Sequence, residues 1–244
     1  MGNLKIVDSE FLDEGLTRIA DAIREKGGTG EMMAFPDGFV ESISDLEIAE
    51  GEATDYLGAY LANKLTAYSN DTLQTAPDYG MSRCTSLQTV SLPALTTAGA
   101  YMFYGCVGLR SANLPALTTV SNSMFYVCSK LVTMKLNLTG KIGTNGFLSC
   151  VGMEKLDLGK PTEIGTSAFN SASALTVLIL RSPTVCALNN VNAFAGTPMV
   201  SGTGYIYVPA ALVEQYRGAT NWSSFAEQFR AIEDYPDICG GGAE

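Results

Sequence analysis

The chain has 244 residues, of which 46% are hydrophobic and 16% are charged, a composition that is typical of folded proteins and argues against a disordered one. The net charge of −10 is concentrated at one end, because residues 1–55 contain 14 acids and 4 bases. Residues 56–207 contain 9 bases and 5 acids, an excess too small and too dispersed to predict a nucleic-acid partner.

The first residues do not have the pattern of a targeting signal. Asp8 and Glu10 interrupt the continuous apolar stretch that a secretory signal peptide requires. The chain also lacks an unbroken run of about 18 apolar residues, the minimum for a membrane-spanning helix. We therefore predict no signal peptide and no membrane insertion, with synthesis in the cytoplasm.

Residues 1–55 are predicted to form an acidic helical module. Residues 8–26 have the pattern of an amphipathic helix that ends at Gly27 and Gly28. Its apolar face consists of Leu12, Leu16, Ile19 and Ile23. A second, shorter helix is predicted after Pro36.

From about residue 60 onwards the sequence has a 22-residue period. Phenylalanines recur at this step, and so do cysteines, with Ala172 taking the place after the last of them. The two columns are Phe103, Phe125, Phe147 and Phe169, and Cys84, Cys106, Cys128 and Cys150. A unit of this size cannot bury its own apolar side chains, so the pattern predicts coils that stack into one continuous core.

Each coil is predicted to contain a short strand. Residues 87–92 alternate in hydropathy, which places Val90 and Leu92 inward and Thr89 and Ser91 outward. Two departures from the period stand out. Thr139 interrupts a leucine column, and the 25-residue step from Phe169 to Phe194 predicts a bulge or longer loop near residues 186–191.

The repeated pattern Ala-x-x-Phe-x-x-Cys-x-x-Leu-x-x-Val-x-Leu-Pro, seen from Ala100 onwards, resembles the BspA-like leucine-rich-repeat family over about residues 60–235. Residues 205–209, followed by Tyr216 and Trp222, resemble the segment that ends such arrays. The resemblance implies a β-dominated α/β repeat solenoid, right-handed, with 22-residue coils. We assign the solenoid to residues 56–207.

Residues 208–244 are predicted to form a C-terminal cap and a frayed tail. Two short helices, at residues 209–217 and 223–232, would close the last coil with apolar side chains. These are Leu212, Tyr216, Trp222, Phe225 and Phe229. The glycine-rich residues from Asp237 onwards are expected to fray.

Residues 16–26, with the glycine-rich stretch and Phe35-Pro36 that follow, resemble a short module of tail and baseplate proteins from phages of Gram-positive gut bacteria. This resemblance implies that residues 1–55 carry virion assembly or homo-oligomer formation. The alternative is a helical pair that only shields the first coil.

The sequence offers little catalytic chemistry. It contains 0 histidines, which removes Ser-His and Cys-His nucleophile pairs and most zinc sites. The cysteine column accepts Ala172, so it fits a buried, reduced ladder better than a metal or catalytic site. Glu154 and Asp157 could form a glycosidase-like carboxylate pair, but they occur in one coil and fit a solvated surface. We predict no catalytic residue, cofactor or metal.

The outward side chains of the predicted strands form the candidate partner-contact surface. They are Thr89, Ser91, Ser111, Asn113, Thr133, Lys135, Lys155 and Asp157. Val177 and Ile179 continue this row. Tyr101, Tyr104 and Tyr126, near the turn, form a second candidate contact area. The alternative is a plain solvated sheet, in which the C-terminal cap covers Val177 and Ile179.

The function favoured by these patterns is non-enzymatic binding. The leading hypothesis is a protein associated with a phage or prophage virion that recognises a protein or glycan on a cell surface. One alternative is a bacterial cell-surface adhesion protein, and a remote one is a carbohydrate-active enzyme.

Overall fold

The computed structural model describes residues 65–240, which lie in one compact unit. The helices predicted within residues 1–55 lie outside the described residues, as do residues 241–244. Within the described part, no helix has both the length and the hydropathy that crossing a membrane requires.

Short strands recur once or twice in each coil and form two rows. The first row contains β1 (Ala67–Ser69), β3 (Thr89–Ser91), β5 (Ser111–Asn113), β6 (Thr133–Leu138), β8 (Lys155–Gly159), β10 (Val177–Ile179), β12 (Tyr205–Val208) and β13 (Phe229–Ala231). The second row contains β2 (Thr75–Ala76), β4 (Thr97–Ala98), β7 (Lys141–Ile142), β9 (Glu163–Ile164) and β11 (Ala187–Leu188).

Every strand pair among the described residues is parallel and joins neighbouring coils. Thr89 lies opposite Ser111, and Lys155 lies opposite Val177, so the register repeats the 22-residue step of the sequence. The first row divides into a sheet of β1, β3 and β5 and a sheet of β6, β8, β10, β12 and β13. This arrangement is a leucine-rich-repeat fold of stacked coils.

The phenylalanine column forms a continuous stack inside the fold. Neighbouring rings from Phe103 to Phe194 are nearly parallel, and their centroids lie 5.4, 5.1, 5.5 and 5.3 Å apart. The rings are fully buried. Trp222, 5.7 Å from Phe194, and the edge of Phe225 close the stack at its C-terminal end. Aromatic contacts therefore run through the core from coil to coil.

The cysteine column lies beside this stack and is buried, as the acceptance of Ala172 in the column predicts. The Sγ atoms of Cys106, Cys128 and Cys150 donate to main-chain carbonyls of the preceding coil, at 3.1, 3.2 and 3.0 Å. Their acceptors belong to Met81, Phe103 and Phe125. Each of these carbonyls also accepts a main-chain amide, so the thiol adds a second donor and links neighbouring coils.

The two irregular coils are accommodated locally. At the interrupted leucine column, Leu138 is buried in place of the exposed Thr139, and the register of β6 on β8 shifts before Leu138. In the longer coil, β11 pairs with β9 through Leu188 opposite Ile164, and Phe194 still stacks on Phe169. The extra residues lie on both sides of β11, which confirms the predicted longer connections.

The C-terminal segment differs in part from its prediction. Helix α1 is the short segment Pro198–Ser201. After it, a 3-10 turn at Ala210–Leu212 leads into helix α2 (Val213–Gly218), in agreement with the first predicted helix. The second prediction, a helix at 223–232, is wrong beyond residue 228. A 3-10 helix at Trp222–Gln228 gives way to β13, because buried Phe229 pairs with Ile206 of β12 and extends the sheet.

The prediction that the tail frays is also wrong for residues 237–239. Helix α3 (Pro236–Cys239) is short and buries the Cys239 side chain against Ile179 and Tyr207. Apolar contacts therefore hold this part of the chain in place, although the glycine-rich composition of the tail does not predict them. The five apolar side chains predicted to close the last coil are all buried.

The buried thiols give the fold a specific pH dependence. Burial raises the pKa of the Cys150 thiol to about 12, above the unfolded value of about 8.5. The folded state therefore holds this proton more tightly, and the resulting stability is complete below about pH 8.5 and is lost as the pH rises towards 12.

We expect the free energy of unfolding of the wild-type chain to fall, relative to that of Cys150→Ala, as the pH rises from about 8.5. The difference should change by up to about 1.4 kcal/mol per pH unit. Urea denaturation of both proteins at about pH 7 and about pH 10 measures it. Identical pH profiles for the two proteins would contradict the assignment. Alanine is the matched replacement, because Ala172 occupies this position in the next coil.

Candidate partner-binding surface

The outward side of the first strand row carries an open groove, which we call the strand-face groove. Its volume is about 570 Å³, and it lies over β5, β6 and β8. Six residues predicted from the sequence as contact residues line it: Ser111, Asn113, Thr133, Lys135, Lys155 and Asp157. Thr89 and Ser91 lie beside it on β3, where Ser91 Oγ accepts a hydrogen bond of 3.1 Å from Asn113 Nδ2.

The groove forms where the strand row is interrupted. β5 and β6 are neighbours in the row but belong to separate sheets. The inward position between Val90 and Met134 is occupied by the small side chain of Ala112, which stays half-buried. Because β5 and β6 do not pair and the side chain of Ala112 is small, space is left between these two coils, and Ala112 and Met134 line it.

The C-terminal end of the same face is covered by the chain itself. Val177 and Ile179 pack with Tyr207, Ile238 and Cys239, so the cap covers them, as the alternative of a plain solvated sheet expects. The segment Pro236–Gly240, which we call the C-terminal strap, thereby occupies the face over β8 and β10.

Two cations hold the C-terminal strap by its main chain. Lys155 Nζ donates to the carbonyl oxygen of Ile238, and Arg181 Nη2 donates to that of Cys239. These carbonyls belong to the last turn of α3, where partial negative charge favours a cation. The strap is therefore attached to the face by charged donors as well as by apolar contact.

Two of the predicted contact residues are consequently not free. Asp157 is buried, so its placement on an open surface is wrong, whereas Lys155 lines the groove but is half-buried and engaged by the strap. Arg181 binds the Asp157 carboxylate through Nε, at 3.2 and 3.1 Å, and through Nη2, at 2.9 Å. The carboxylate also accepts a hydrogen bond from the main-chain amide of Gly159. The hydrogen bond between Arg181 and Asp157 raises the pKa of the Arg181 guanidinium. Arg181 could not be predicted from the sequence, because its 24-residue offset from Asp157 does not follow the period.

The three predicted tyrosines lie together at the turn edge. Tyr104 meets Tyr101 edge-on at 5.9 Å and Tyr126 at 5.3 Å between ring centroids. Two residues that were not predicted join them. Tyr79 is 56% exposed and stacks on Tyr101 with 4.7 Å between ring centroids, and the guanidinium of Arg83 lies 5.7 Å from the centroid of the Tyr104 ring. The 22-residue step from Tyr79 to Tyr101 was the available signal.

The arrangement does not resemble a catalytic centre. Glu154 is exposed, whereas both oxygens of Asp157 are occupied by Arg181, so the two carboxylates do not form a paired acid and base. Among residues 65–240, no group of ligating side chains could hold a metal ion. The surface can donate and accept hydrogen bonds and can attract negative charge.

Comparison with known families agrees with the repeat structure. The sequence profile of the BspA type leucine rich repeat region matches residues 61–198 in 6 copies, which is more than half of the chain. The chain belongs to this family. No curated protein matches it.

Three solved structures from bacteria are similar to this BspA-type chain. A leucine-rich repeat protein from Bacteroides ovatus is 22% identical with a TM-score of 0.49, over 69% of this chain and 54% of that one. The Treponema pallidum leucine-rich repeat protein is 20% identical with a TM-score of 0.44, over 64% and 84%. A protein from Eubacterium ventriosum is 18% identical with a TM-score of 0.41, over 56% and 44%. The match thus spans about half the length of the B. ovatus protein.

We expect Arg181→Gln to loosen the C-terminal strap. The variant removes the charge-assisted hydrogen bond from Arg181 Nη2 to the carbonyl oxygen of Cys239. Such a bond contributes about 1.5–3 kcal/mol, which corresponds to at least about tenfold more frequent opening of the strap once it is lost. Alkylation of Cys239 by iodoacetamide, followed by peptide mass spectrometry, should accelerate by that factor. Arg110→Gln, at an exposed arginine beside β5, is the matched control and should leave the rate unchanged. An unchanged Cys239 rate in Arg181→Gln would show that Arg181 does not hold the strap.

Proposed function

We propose that this BspA-type chain is a non-enzymatic binding protein that holds a macromolecular partner on the strand-face groove. The observation that carries the proposal is the exposed set of donors that remains beside the C-terminal strap. Thr89, Ser111, Asn113, Thr133 and Lys135 are all exposed and share one face.

The shape of the groove supports a large partner over a small one. Small ligands bind in concave pockets that enclose them, whereas this groove is open, and the hydroxyl and amide groups of Ser111, Asn113 and Thr133 lie among its lining. Hydroxyl and amide groups can both donate and accept hydrogen bonds, so they suit a polymer with recurring polar groups. We propose that the partner is a protein or glycan on a cell surface.

The chemistry of the described residues supports a non-enzymatic role. The chain contains 0 histidines, and the buried Asp157 carboxylate is committed to Arg181. A carbohydrate-active enzyme would need a second carboxylate that faces the first across a substrate. Glu154 does not provide this carboxylate, because it does not line the groove.

We propose further that a phage or prophage virion carries the protein, through residues 1–55. The support is the resemblance of residues 16–26 and Phe35-Pro36 to a module of phage tail and baseplate proteins. Antibody against the chain should then detect it in particles purified from a producing strain. Its absence from purified particles would contradict this part of the proposal.

We expect Thr133→Arg, which places a long side chain on the groove, to reduce binding of the fluorescently labelled full chain to intact Gram-positive gut bacteria by about tenfold. Loss of about 1.4 kcal/mol from a contact at the centre of an interface has this effect. Thr118→Arg introduces the same side chain at an exposed threonine near the second strand row and should bind as the wild type does. Equal binding by both variants would place the contact elsewhere.

A further inference from the structure

The C-terminal strap shows that the strand face can hold a polypeptide. Two consecutive carbonyls, of Ile238 and Cys239, accept hydrogen bonds from Lys155 and Arg181. The neighbouring apolar side chains pack on Ile179 and Tyr207. The face therefore already binds one chain segment, through its main chain and its apolar side chains together.

The strand-face groove continues the site of this segment. Cys239 and Gly240 form one wall of the groove, whose remaining lining comes from β5, β6 and β8. A second segment placed in the groove would therefore lie next to the C-terminal strap, on the part of the face that the strap leaves open.

The spacing of the exposed donors fits an extended peptide. Ser111 and Asn113 project from β5 two residues apart, and so do Thr133 and Lys135 from β6. Alternate residues of a strand are about 6.6 Å apart, and the same distance separates alternate residues of an extended peptide. A peptide aligned with the strands can thus meet a donor at every second residue.

The charges of the groove favour an acidic peptide. Asp157 is neutralised by Arg181, and Lys155 is engaged by the strap. Lys135 lies opposite Asp157 in the strand register, is exposed, and forms no ion pair within residues 65–240. The groove thus presents a free cation, and a carboxylate would complement it.

We propose that the strand-face groove binds an extended peptide segment that carries acidic side chains, with Lys135 as the charge-selective contact. This inference rests on the proposed function and specifies its partner. It also assigns the residues that recognise the ligand. The hydroxyl and amide groups of β5 and β6 form hydrogen bonds with the peptide main chain, and Lys135 pairs with a side-chain carboxylate.

Fluorescence anisotropy with the full chain tests the inference. The probes are three fluorescein-labelled peptides of about eight residues, long enough to cross the strand face when extended. In them, serine alternates with glutamate, glutamine or lysine. The glutamate peptide should bind at least about tenfold more tightly than the glutamine peptide, and the lysine peptide should not bind. Binding should weaken as the salt concentration rises, because the contact is exposed.

Variants separate the groove from general charge attraction. Lys135→Glu should weaken binding of the glutamate peptide by at least about tenfold, an amount expected from reversing an exposed but central charge. Lys141→Glu makes the same charge change at an exposed lysine of β7, in the second strand row, and should leave binding within about twofold of the wild type. Urea denaturation midpoints compare the folding of the variants. Equal losses in both variants, or equal binding of the glutamate and glutamine peptides, would overturn the inference.

The outcome is independent of the test of the proposed function. If Thr133→Arg abolishes cell binding but no peptide probe binds, the groove is a binding site and the acidic peptide is not its ligand. If the glutamate peptide binds through Lys135 but Thr133→Arg leaves cell binding intact, the groove binds acidic peptides and the contact with cells lies elsewhere on the chain.

Discussion

The structure depends on the burial of equivalent side chains at the same place in successive coils. A single 22-residue coil has too few apolar groups to form a core, so each coil is stable only against its neighbours. Parallel pairing in register keeps Phe on Phe and Cys on Cys, and the rings of Phe125 and Phe147 come within 5.1 Å. A coil of different length must absorb the difference outside these columns.

The two irregular coils obey this constraint. Between Phe169 and Phe194 the extra residues enter the connections around β11, where they do not disturb the ring stack. At Thr139 the strand register shifts instead, so that Leu138 reaches the core. The constraint also locates the binding surface: columns that face inward cannot vary freely, whereas outward positions such as Asn113 and Lys135 can.

Periodicity explains which features could be predicted from the sequence. The columns, the strand orientation and most of the groove lining follow from the 22-residue step, because every coil repeats the same environment. Arg181, β13 and the C-terminal strap could not be found in this way. They depend on contacts between segments that occur once, such as Arg181 with Cys239, and a pattern that is not repeated gives no register. The exposed position assumed for Asp157 was wrong for the same reason.

The equivalence of the coils has a further consequence for the strand face. An inserted coil would find its pairing partners, its phenylalanine contact and its thiol acceptor already in place on both sides. Each insertion would lengthen the face by one strand spacing, about 4.8 Å, without changing its chemistry elsewhere. Gene duplication can therefore set the distance between the strand-face groove and Tyr79 and Tyr101 through the number of coils that lie between them.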